Sequence, residues 1–356
     1  MQALYFGTYD RDYPRNAQVI SCLRTAGVEI VERHRPVWSR RHNWSLGPGQ
    51  LVRVARAERW LASRADRTAD LLLVGYPGHF DVPAARRAAA GRPVVFNPLV
   101  SLHDTLVTDR GRFRAGSMAA AVVRHVDRIA FRNADLVVAD TEAHARFFAD
   151  ELGVEPDRLE VALLGAEDAL FRPGWQPEEP FHVLFVGKLI PLHGLETILA
   201  AARLVPELPF RIVGSGQLDA LLEDAPGNVV HVPWPGYAEL PEAYRSAGCA
   251  LGIFGAGGKA ARVIPNKAYQ ALACATPLVT SDTPAARELL TDGVDAILVP
   301  PADPAALATA IRRIASETGL RQALGAAGRA TYERRASEDV LGRRWRAILE
   351  RAVARG

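Results

Sequence analysis

The chain has few residues of the kinds that build disulfide or metal frameworks, and it has no long apolar run. Its three cysteines, Cys22, Cys249 and Cys274, lie far apart in 356 residues, which excludes zinc-finger spacing and argues against a disulfide scaffold. No stretch approaches the roughly 20 apolar residues of a membrane-spanning helix. The opening MQALYFGTYD lacks a basic start and a long apolar core, so we expect no signal peptide and a cytoplasmic protein.

The chain also lacks a strong net charge and a low-complexity tract. Its formal net charge is only +3, so no overall field calls for nucleic acid as a partner. The 29 glycines and 24 prolines are spread along the chain, which leaves no long linker. Residues 1–60 are locally basic, with ten arginines against five acidic residues. We expect most of these on solvated helix faces; an anionic substrate or the inner face of a membrane, contacted peripherally, is the alternative.

What the chain does have is enough apolar sequence for two domains, since 49% of its residues are hydrophobic. In the first half, short apolar runs predict strands at 3–7, 28–31, 70–75, 93–97, 136–139 and 159–162. Helical patterns predict helices at 16–26, 50–65, 117–133 and 142–152. This alternation is typical of a doubly wound parallel sheet, whose ligands bind beyond the carboxyl ends of the strands. The loops expected to bind a ligand in this half are therefore 8–16, 75–81 and 97–105.

The second half repeats the pattern after a cluster of proline and glycine at 172–177, which is the predicted hinge. Strands are predicted at 181–187, 211–214, 229–232, 249–254, 278–280 and 296–299. Helices are predicted at 304–316, 317–334 and 338–354. The sequence thus predicts a second α/β domain of the same kind.

The stretch 263–300 is the most informative part of the chain. Asn266 occupies the place of a helix N-cap before an apolar helix that Pro277 ends, and a short buried strand follows. Free N–H groups at a helix start attract anions, and Lys259, Arg262 and Lys267 crowd that end. A nucleotide diphosphate would suit the place. A solvated basic loop on an ordinary βαβ unit is the alternative.

Two further loops have the composition of ligand cradles. The strand that ends at Gly187 runs into Lys188, then His193-Gly194, then a helix, and this order suits a bound phosphate. After the strand 249–254, the glycines of Gly255-Ala-Gly-Gly-Lys259 would let backbone N–H groups approach a ligand closely.

The first half offers weaker candidates. His103 beside Asp104, at the end of a strand, suits hydrogen bonding to a reacting sugar, or it is a half-buried histidine that holds a backbone carbonyl. His79 either contacts the acceptor or caps the next helix. Asp10-Arg11-Asp12 spells the Asp-x-Asp of some metal sites, but we expect a polar loop near the acceptor and no metal. The segment Trp38–Trp44 suits a membrane interface, a carbohydrate-facing loop or plain packing.

A family resemblance connects these features. Gln270-Ala-Leu-Ala-Cys-Ala-Thr-Pro-Leu-Val279, followed by Glu288-Leu-Leu, Asp292-Gly and Leu298-Val-Pro, resembles the donor-site signature of the retaining glycosyltransferases of family 4, which have the GT-B fold. Ala134-Asp135…Asp140-Thr141 resembles a segment of that family's first domain. Two residues depart from the pattern. Gln270 stands where the family has its ribose-binding glutamate, and Arg262 stands where it has its sugar-binding glutamate.

The resemblance implies roles for particular residues. Lys188 matches the first of two cations that hold the donor diphosphate, and His193 replaces the second. With Arg262 and His103, which would contact the donor sugar, Lys188 forms the expected catalytic set. The expected donor-binding residues are Gly187, Lys188, His193, Gly214, Gly216, Trp234, Gly257, Gly258, Lys259, Asn266, Lys267 and Gln270. The expected acceptor-side residues are Tyr13, Arg15 and His79.

Taken together, the sequence predicts an α/β protein of GT-B type, with two Rossmann-like doubly wound domains facing a central cleft. The first would span 1–173, with a terminal helix at about 338–356 packing back on it, and the second would span 174–337. The predicted activity moves a sugar from a nucleotide diphosphate sugar, with UDP favoured over GDP, to an acceptor hydroxyl with retention of configuration and without metal or cofactor. The acceptor would be a glycan, a lipid-linked molecule or a small molecule.

Other activities suit the same architecture. A GT-B epimerase or phosphorylase would have the same two domains. The replacements at 193, 262 and 270 also suit a non-catalytic binding protein with this fold.

Overall fold

The computed structural model describes residues 1–11, 13–37, 48–64, 68–174, 176–177 and 180–355. The chain forms two compact units, which are Met1–Leu163 with Glu338–Gly356 and Leu164–Ser337. The division thus falls earlier than the position after residue 173 that the sequence suggested. The reason is local, because the hydroxyl of Tyr332 in the second unit donates to Asp168 Oδ1 (2.5 Å) and lies 3.1 Å from the Ala166 carbonyl oxygen.

The first unit is built on a six-stranded parallel sheet in the order β2-β1-β3-β4-β5-β6. Its strands are β1 Gln2–Gly7, β2 Glu29–His34, β3 Leu71–Val74, β4 Val94–Phe96, β5 Leu136–Ala139 and β6 Leu159–Val161. Its helices are α1 Pro14–Thr25, α2 Pro48–Ser63, α3 Val82–Ala89, α4 Met118–Asn133, α5 Glu142–Leu152 and, after the second unit, α12 Glu338–Arg355. A helix was expected after His79 without bounds, and α3 lies there. The π-helical turn at Asp104–Asp109 was not predicted, because it is shorter than a clear apolar repeat.

The helices of the first unit cover both faces of its sheet, as a parallel sheet requires. Helix α3 packs against α2 on one side and α4 on the other, and α5 packs against α4. On the opposite face α1 packs against α12, where Trp345 is only 1% exposed. The capping role predicted for Asp140 or Thr141 belongs to Thr141, whose Oγ1 accepts a hydrogen bond (3.0 Å) from the His144 N–H at the start of α5.

The second unit has a parallel sheet of the same size in the order β12-β11-β10-β7-β8-β9. Its strands are β7 Val183–Val186, β8 Phe210–Val213, β9 Val229–Val232, β10 Cys249–Leu251, β11 Leu278–Ser281 and β12 Ile297–Val299. Its helices are α6 Leu195–Leu204, α7 Leu240–Ser246, α8 Asn266–Ala273, α9 Pro284–Leu289, α10 Pro304–Ser316 and α11 Thr318–Arg335. The prediction of two Rossmann-like doubly wound units is confirmed.

Strand order locates the ligand-binding end of each sheet. In the second unit β8 and β9 follow β7 on one side and β10 to β12 lie on its other side, so the strand order reverses between β7 and β10. In the first unit the strand order reverses between β1 and β3. Ligands of such sheets bind at this switch point, beyond the carboxyl ends of the strands. The loops after β7 and β10, and those after β1 and β3, are therefore the ones that position a site. All three cysteines are buried and none forms a disulfide. No helix of the described ranges is long and apolar enough to cross a membrane.

Candidate active site

The loops after β7 and β8 in the second unit are in close backbone contact. A Cβ atom on Gly214 would lie 2.0 Å from the Gly187 carbonyl oxygen, and one on Gly216 would lie 2.5 Å from the Leu189 carbonyl oxygen. The Leu189 N–H donates a hydrogen bond to the Ser215 carbonyl at 3.1 Å. Gly214 and Gly216, both predicted to bind the donor, therefore hold one candidate loop against the other.

The loops after β7 and β10 are joined in the same way at the switch point. Gly194 has a left-handed backbone (φ +68°) at the start of α6, and a Cβ there would lie 2.5 Å from the Phe254 carbonyl carbon and 2.7 Å from the Gly255 nitrogen. The Phe254 N–H donates to the His193 carbonyl at 3.1 Å. Only glycine fits at position 194, because both the conformation and the space exclude a side chain.

His193 supports the loop that carries Lys188. The imidazole is buried, packs edge-on against Phe185 at 5.7 Å between ring centroids, and its Nδ1 donates a close hydrogen bond to the Lys188 carbonyl. The acceptor is a carbonyl, so Nδ1 carries the proton. The side chain of Lys188 itself is exposed, as a residue that meets a soluble ligand would be.

Lys267 is the most unusual side chain of the site. Helix α8 begins at Asn266 with Pro265 in the N-cap position, so the prediction that Asn266 is the N-cap was wrong by one residue, and Lys267 lies in the first turn. Lys267 is 5% exposed, and its Nζ lies 3.8 Å from the centre of the Phe185 ring. That Nζ has no hydrogen-bond partner among the described residues, and burial lowers the pKa of Lys267 well below its ordinary value.

The same amine faces the loop after β7. A Cβ on Gly187 would lie 2.6 Å from the Lys267 Nζ and 3.2 Å from the Cε1 of His193. Gly187, Lys267 and His193 therefore meet at one point beyond the end of β7. Backbone N–H groups of a glycine loop, a helix start and an amine at one place can hold a phosphate.

The remaining predicted donor residues surround this point in different ways. Gln270 is 5% exposed, and its Oε1 accepts a hydrogen bond (3.0 Å) from the Tyr244 hydroxyl. Arg262 is half-buried against Gly258, where a Cβ would lie 3.0 Å from its NH1. Lys259 is buried, whereas Gly257 is exposed with nothing within 4 Å of where its Cβ would lie.

Trp234 lies at the edge of the site. Its side chain is 45% exposed, and its Cε3 lies 3.2 Å from where a Cβ of Gly214 would be. An exposed aromatic face next to a glycine loop can stack against a flat ligand group such as a nucleotide base.

One signal in the sequence marks this site and was missed. The chain has 43 lysines and arginines, and only three of them are lysines: Lys188, Lys259 and Lys267. All three lie in the candidate donor loops. Phe185 and Tyr244, which contact Lys267 and Gln270, look like ordinary core residues in the sequence, so only the structure shows their role.

Two residues of the first unit that were expected at the acceptor side, Arg15 and His79, are buried. Arg15 is 1% exposed; it donates to Asn97 Oδ1 and to the carbonyls of Ala162 and Leu163, and its guanidinium stacks on Trp345 at 5.3 Å. Arg15 thus joins α1, α12 and the ends of two strands. It does not face a ligand here, because its position in α1 points it into the packed face that α12 covers.

His79 is also a core residue, with 2% exposure. Its Nε2 contacts the Val100 carbonyl (3.0 Å) and lies 3.4 Å from Asp127 Oδ1, and the ring packs edge-on against Phe96. This buried position matches neither role predicted for His79, which were contact with the acceptor and capping of the next helix. The side chain packs under the loop after β4 because α4 brings Asp127 beneath that loop.

His103 lies at the carboxyl end of β4, where the sequence predicted it, and is half-buried. The carboxylate that holds its segment is Asp127, which accepts hydrogen bonds from Ser101 Oγ (2.7 Å), the Leu102 N–H (2.9 Å) and the His103 N–H (2.9 Å). Asp127 is buried in α4 and carried no sequence signal. Tyr13 stacks on Tyr76 with 4.4 Å between ring centroids, next to the loop after β3.

Two carboxyl groups with raised pKa values lie near the switch point of the first unit. Asp81 is buried and accepts hydrogen bonds from the Thr8 N–H and Oγ1 (both 2.9 Å). Burial raises the pKa of Asp81 to about 7, and burial followed by the charge of Asp81 raises the pKa of Glu58 to about 8. Groups of this kind cluster at functional sites, but buried structural pairs produce the same shift.

Some predicted features lie outside the described residues. They are Asp12 of the Asp-x-Asp sequence and the segment 38–44. In the described ranges, no group of three or more His, Cys, Asp or Glu side chains is arranged to hold a metal ion.

Comparison with known proteins agrees with this geometry. A family model described as glycosyl transferase 4-like domain matches residues 7–165, and one described as glycosyl transferases group 1 matches residues 180–317. Among solved structures, sucrose-phosphate synthase from Thermosynechococcus elongatus superposes with a TM-score of 0.77 at 17% identity and covers 100% of this chain and 99% of that one. Anabaena HepE in complex with UDP-glucose gives a TM-score of 0.69 at 18% identity, covering 99% and 100%. The fold is that of the GT-B glycosyltransferases.

Sequence comparison finds relatives that are named D-inositol 3-phosphate glycosyltransferases. The D-inositol 3-phosphate glycosyltransferase of Acidothermus cellulolyticus is 32% identical over 226 residues, which cover 54% of this chain and 48% of the relative. That of Salinispora arenicola is 26% identical over 331 residues, which cover 79% and 69%. The chain thus spans about half the length of the Acidothermus relative. It belongs to the group 1 glycosyltransferases of family 4.

Proposed function

We propose that the chain transfers a sugar from a nucleotide diphosphate sugar to an acceptor hydroxyl, with retention of configuration and without a metal ion. The donor binds in the second unit, beyond the end of β7. The observation that carries this proposal is the meeting of Gly187, His193 and the buried amine of Lys267 at the switch point of that sheet. A buried ammonium ion is costly unless a ligand supplies the opposite charge, and a buried amine without a hydrogen-bond partner is left unsatisfied until a ligand binds.

The cations account for the proposed chemistry. When the bond between sugar and diphosphate breaks, negative charge develops on the departing oxygen, and fixed positive groups stabilise it electrostatically. Lys188 and Lys267 supply that charge, with Arg262 beside the glycine loop. A diphosphate held this way does not need a metal ion to neutralise it. Gln270 holds the ribose, and Trp234 stacks on the base.

UDP is the favoured nucleotide. HepE, with a TM-score of 0.69 to this chain, has been solved with UDP-glucose, and family resemblance also favours uridine. D-inositol 3-phosphate, the acceptor in the names of the sequence relatives, belongs in an acceptor panel together with lipid-linked glycans.

A thermal-shift panel of UDP, GDP, ADP and their sugars tests the donor site. A ligand at about 100 times its Kd stabilises the native state by about 2.7 kcal/mol, so a matching nucleotide should raise the melting temperature. Lys188→Ala should lower the affinity without unfolding the protein, because the side chain is exposed. Arg313→Ala, which removes an exposed cation from α10 of the same unit, should leave the shift unchanged.

The result separates the proposal from its alternatives. A shift with no nucleotide, in a protein that melts cooperatively, would contradict the donor site and favour a non-catalytic binding protein. Product formed from the nucleotide sugar without any acceptor would favour an epimerase.

We also propose that the first unit contacts an anionic membrane through the exposed faces of α2 and α4. Apolar side chains are exposed near the N-terminal turns of both helices, with Met118 at 85%, Val122 at 58%, Leu51 at 44% and Val52 at 51%. The two helices carry the arginines 53, 56, 59, 124, 128 and 132. Their two acidic residues, Glu58 and Asp127, are half-buried and buried respectively.

Arg124 is paired with Glu151 of α5 at 3.4 Å. The combination of exposed apolar residues with an excess of arginine on α2 and α4 is typical of helices that lie in a membrane interface. Helices of a parallel α/β sheet run opposite to its strands, so the N-terminal turns of α2 and α4 lie at the end of the sheet where its ligands bind. A lipid-linked acceptor would enter there directly from the bilayer surface.

Co-sedimentation with vesicles tests this contact. Binding is expected to phosphatidylcholine vesicles that contain phosphatidylglycerol, and to weaken with salt. The double substitution Met118→Asn and Val122→Asn should weaken binding roughly tenfold or more, because each buried apolar side chain contributes about 1.5–3 kcal/mol. Val230→Asn with Val294→Asn, two exposed valines of the second unit, is the matched control. Equal binding to neutral vesicles, or equal loss in both variants, would contradict the proposal.

A further inference from the structure

The buried position of Lys267 suits a side chain that can lose its charge. Its surroundings are the ring of Phe185, the backbone of Gly187 and the first turn of α8, and its Nζ has no hydrogen-bond partner in the described part of the chain. Transfer of an unpaired ammonium ion from water into such a place is far more costly than transfer of a neutral amine. Burial therefore favours the neutral amine over the ammonium ion, which lowers the pKa of Lys267.

The choice of lysine at this position is informative. Of 43 basic residues in the chain, 40 are arginine, which stays protonated in proteins, and only three are lysine. A lysine at 267 can lose its proton when it is buried, whereas an arginine there would keep its charge. Lys267 is the one of the three whose amine packs against an aromatic ring of the core.

We propose that Lys267 binds the donor diphosphate with uptake of a proton: the amine is neutral in the free protein and becomes an ammonium ion as the diphosphate enters beside Gly187. This inference rests on the proposed donor site. The reaction is –NH₂ + H⁺ → –NH₃⁺, with the proton taken from solvent, and no other bond changes. The ammonium ion then faces the oxygen on which charge develops when the sugar leaves. Release of the nucleoside diphosphate returns the proton to solvent.

Among the groups that surround Lys267, the diphosphate is the one whose binding changes the charge state of the amine. His193 faces the same point from the loop after β7, and its Nδ1 is bound to the Lys188 carbonyl. The elements packed on α8 contribute Tyr244 on α7, which donates to Gln270, Cys249 in β10, and Arg329 on α11, which donates to the Ala273 carbonyl at the far end of the helix. The carboxylates on these helices, Glu242 on α7 and Glu333 on α11, are paired with Arg245 and Arg329, each at 2.8 Å. Burial is the single cause of the lowered pKa of Lys267, so no nearby charge offsets it.

The sign of the pH dependence follows from linkage. A bound diphosphate raises the pKa of Lys267 from its lowered value, so the complex holds more protons than the free protein between those two values. Donor affinity therefore falls as pH rises through that window, by at most about tenfold per pH unit. UDP-glucose is a suitable probe because its two phosphates lack the monoester group that titrates at about pH 6.

The protein offers a direct readout, since only three lysine side chains give signals when lysine is labelled with ¹³C at Cε. Lys188→Arg and Lys259→Arg assign the signals and serve as matched controls. In the free protein, the Lys267 signal should keep its neutral position at pH values where exposed Lys188 is fully protonated. Addition of UDP-glucose or GDP-mannose should move it to the protonated position.

Calorimetry gives an independent measurement on the whole chain. Binding measured at several pH values, in buffers of different ionisation enthalpy, should show proton uptake that rises to at most one proton per nucleotide sugar, since a single amine changes its charge state. Lys267→Met, which fits the apolar pocket, should abolish the uptake and weaken binding. Lys188→Arg should weaken binding while the uptake persists.

Each outcome decides between the two proposals. If the Lys267 signal titrates together with the other two in the free protein, the inference is wrong. If a nucleotide sugar raises the melting temperature and shifts the Lys188 signal while Lys267 stays neutral, the result supports the donor site and contradicts the proton uptake. If no nucleotide sugar changes any lysine signal or the melting temperature, both proposals are overturned.

Discussion

Trp345→Ala is expected to lower the free energy of unfolding of the first unit by about 3–5 kcal/mol, the usual cost of removing a large aromatic side chain from a core. Trp345 is 1% exposed on α12 and packs among the residues that fill the space between α12, α1 and the sheet. It also supports the guanidinium of Arg15 at 5.3 Å, which in turn holds Asn97 and the carbonyls after β6. Loss of the ring therefore leaves a cavity and frees a buried cation.

Native-state hydrogen exchange measures this effect, because it reports on the amides of α1 and α12 and does not assume that two units unfold together. Val353→Ala is the control on the same helix. Val353 is 39% exposed, so the substitution should change stability by no more than about 0.5 kcal/mol. Equal effects of the two variants would show that α12 does not stabilise the first unit through Trp345.

Gly194→Ala should destabilise the second unit and weaken nucleotide binding, whereas Gly153→Ala, in the first unit, should mildly destabilise that unit and leave nucleotide binding unchanged. Both glycines have a left-handed backbone, with φ of +68° and +66°, so each alanine costs about 1–2 kcal/mol of conformational strain. At Gly153 a Cβ meets nothing within 4 Å. At Gly194 it would overlap the Phe254 backbone, which should add about 1–3 kcal/mol.

The overlap at Gly194 has a functional consequence because it separates the loops after β7 and β10. The thermal midpoint of each variant, measured with and without UDP-glucose, tells the two effects apart. A Gly194→Ala protein that is destabilised no more than Gly153→Ala, or that keeps the full nucleotide shift, would contradict the role assigned to this contact.

More of the second unit than of the first unit could be predicted from the sequence. In the second unit, the order strand, glycine, cation, helix is local in sequence, and the predicted loops meet at the switch point as expected for parallel strands. In the first unit, Arg15 and His79 were expected at the acceptor side, yet both are buried. Sequence composition marks a polar residue after a strand, but it does not show which way the side chain points.

Contacts between residues distant in sequence explain the other differences. Asp127 holds the His103 segment from 24 residues away, and Tyr332 holds Ala166 from 166 residues away, which moves the division between the units to Leu163. Nothing in the local sequence around Asp127 or Tyr332 distinguishes these residues from others in their helices. Their partners are set by which strands are neighbours in the sheet.

The sequence by itself determined the alternation of strands and helices, the two Rossmann-like units and the family, because apolar periodicity and turn residues act locally. It also contained the three lysines that mark the candidate donor loops. Only the tertiary structure decided that Lys188 is exposed while Lys267 is buried against Phe185 without a hydrogen-bond partner. The physical reason is that the free energy of a charged side chain depends on the solvent and dipoles around it, and these are fixed only when distant strands and helices pack together.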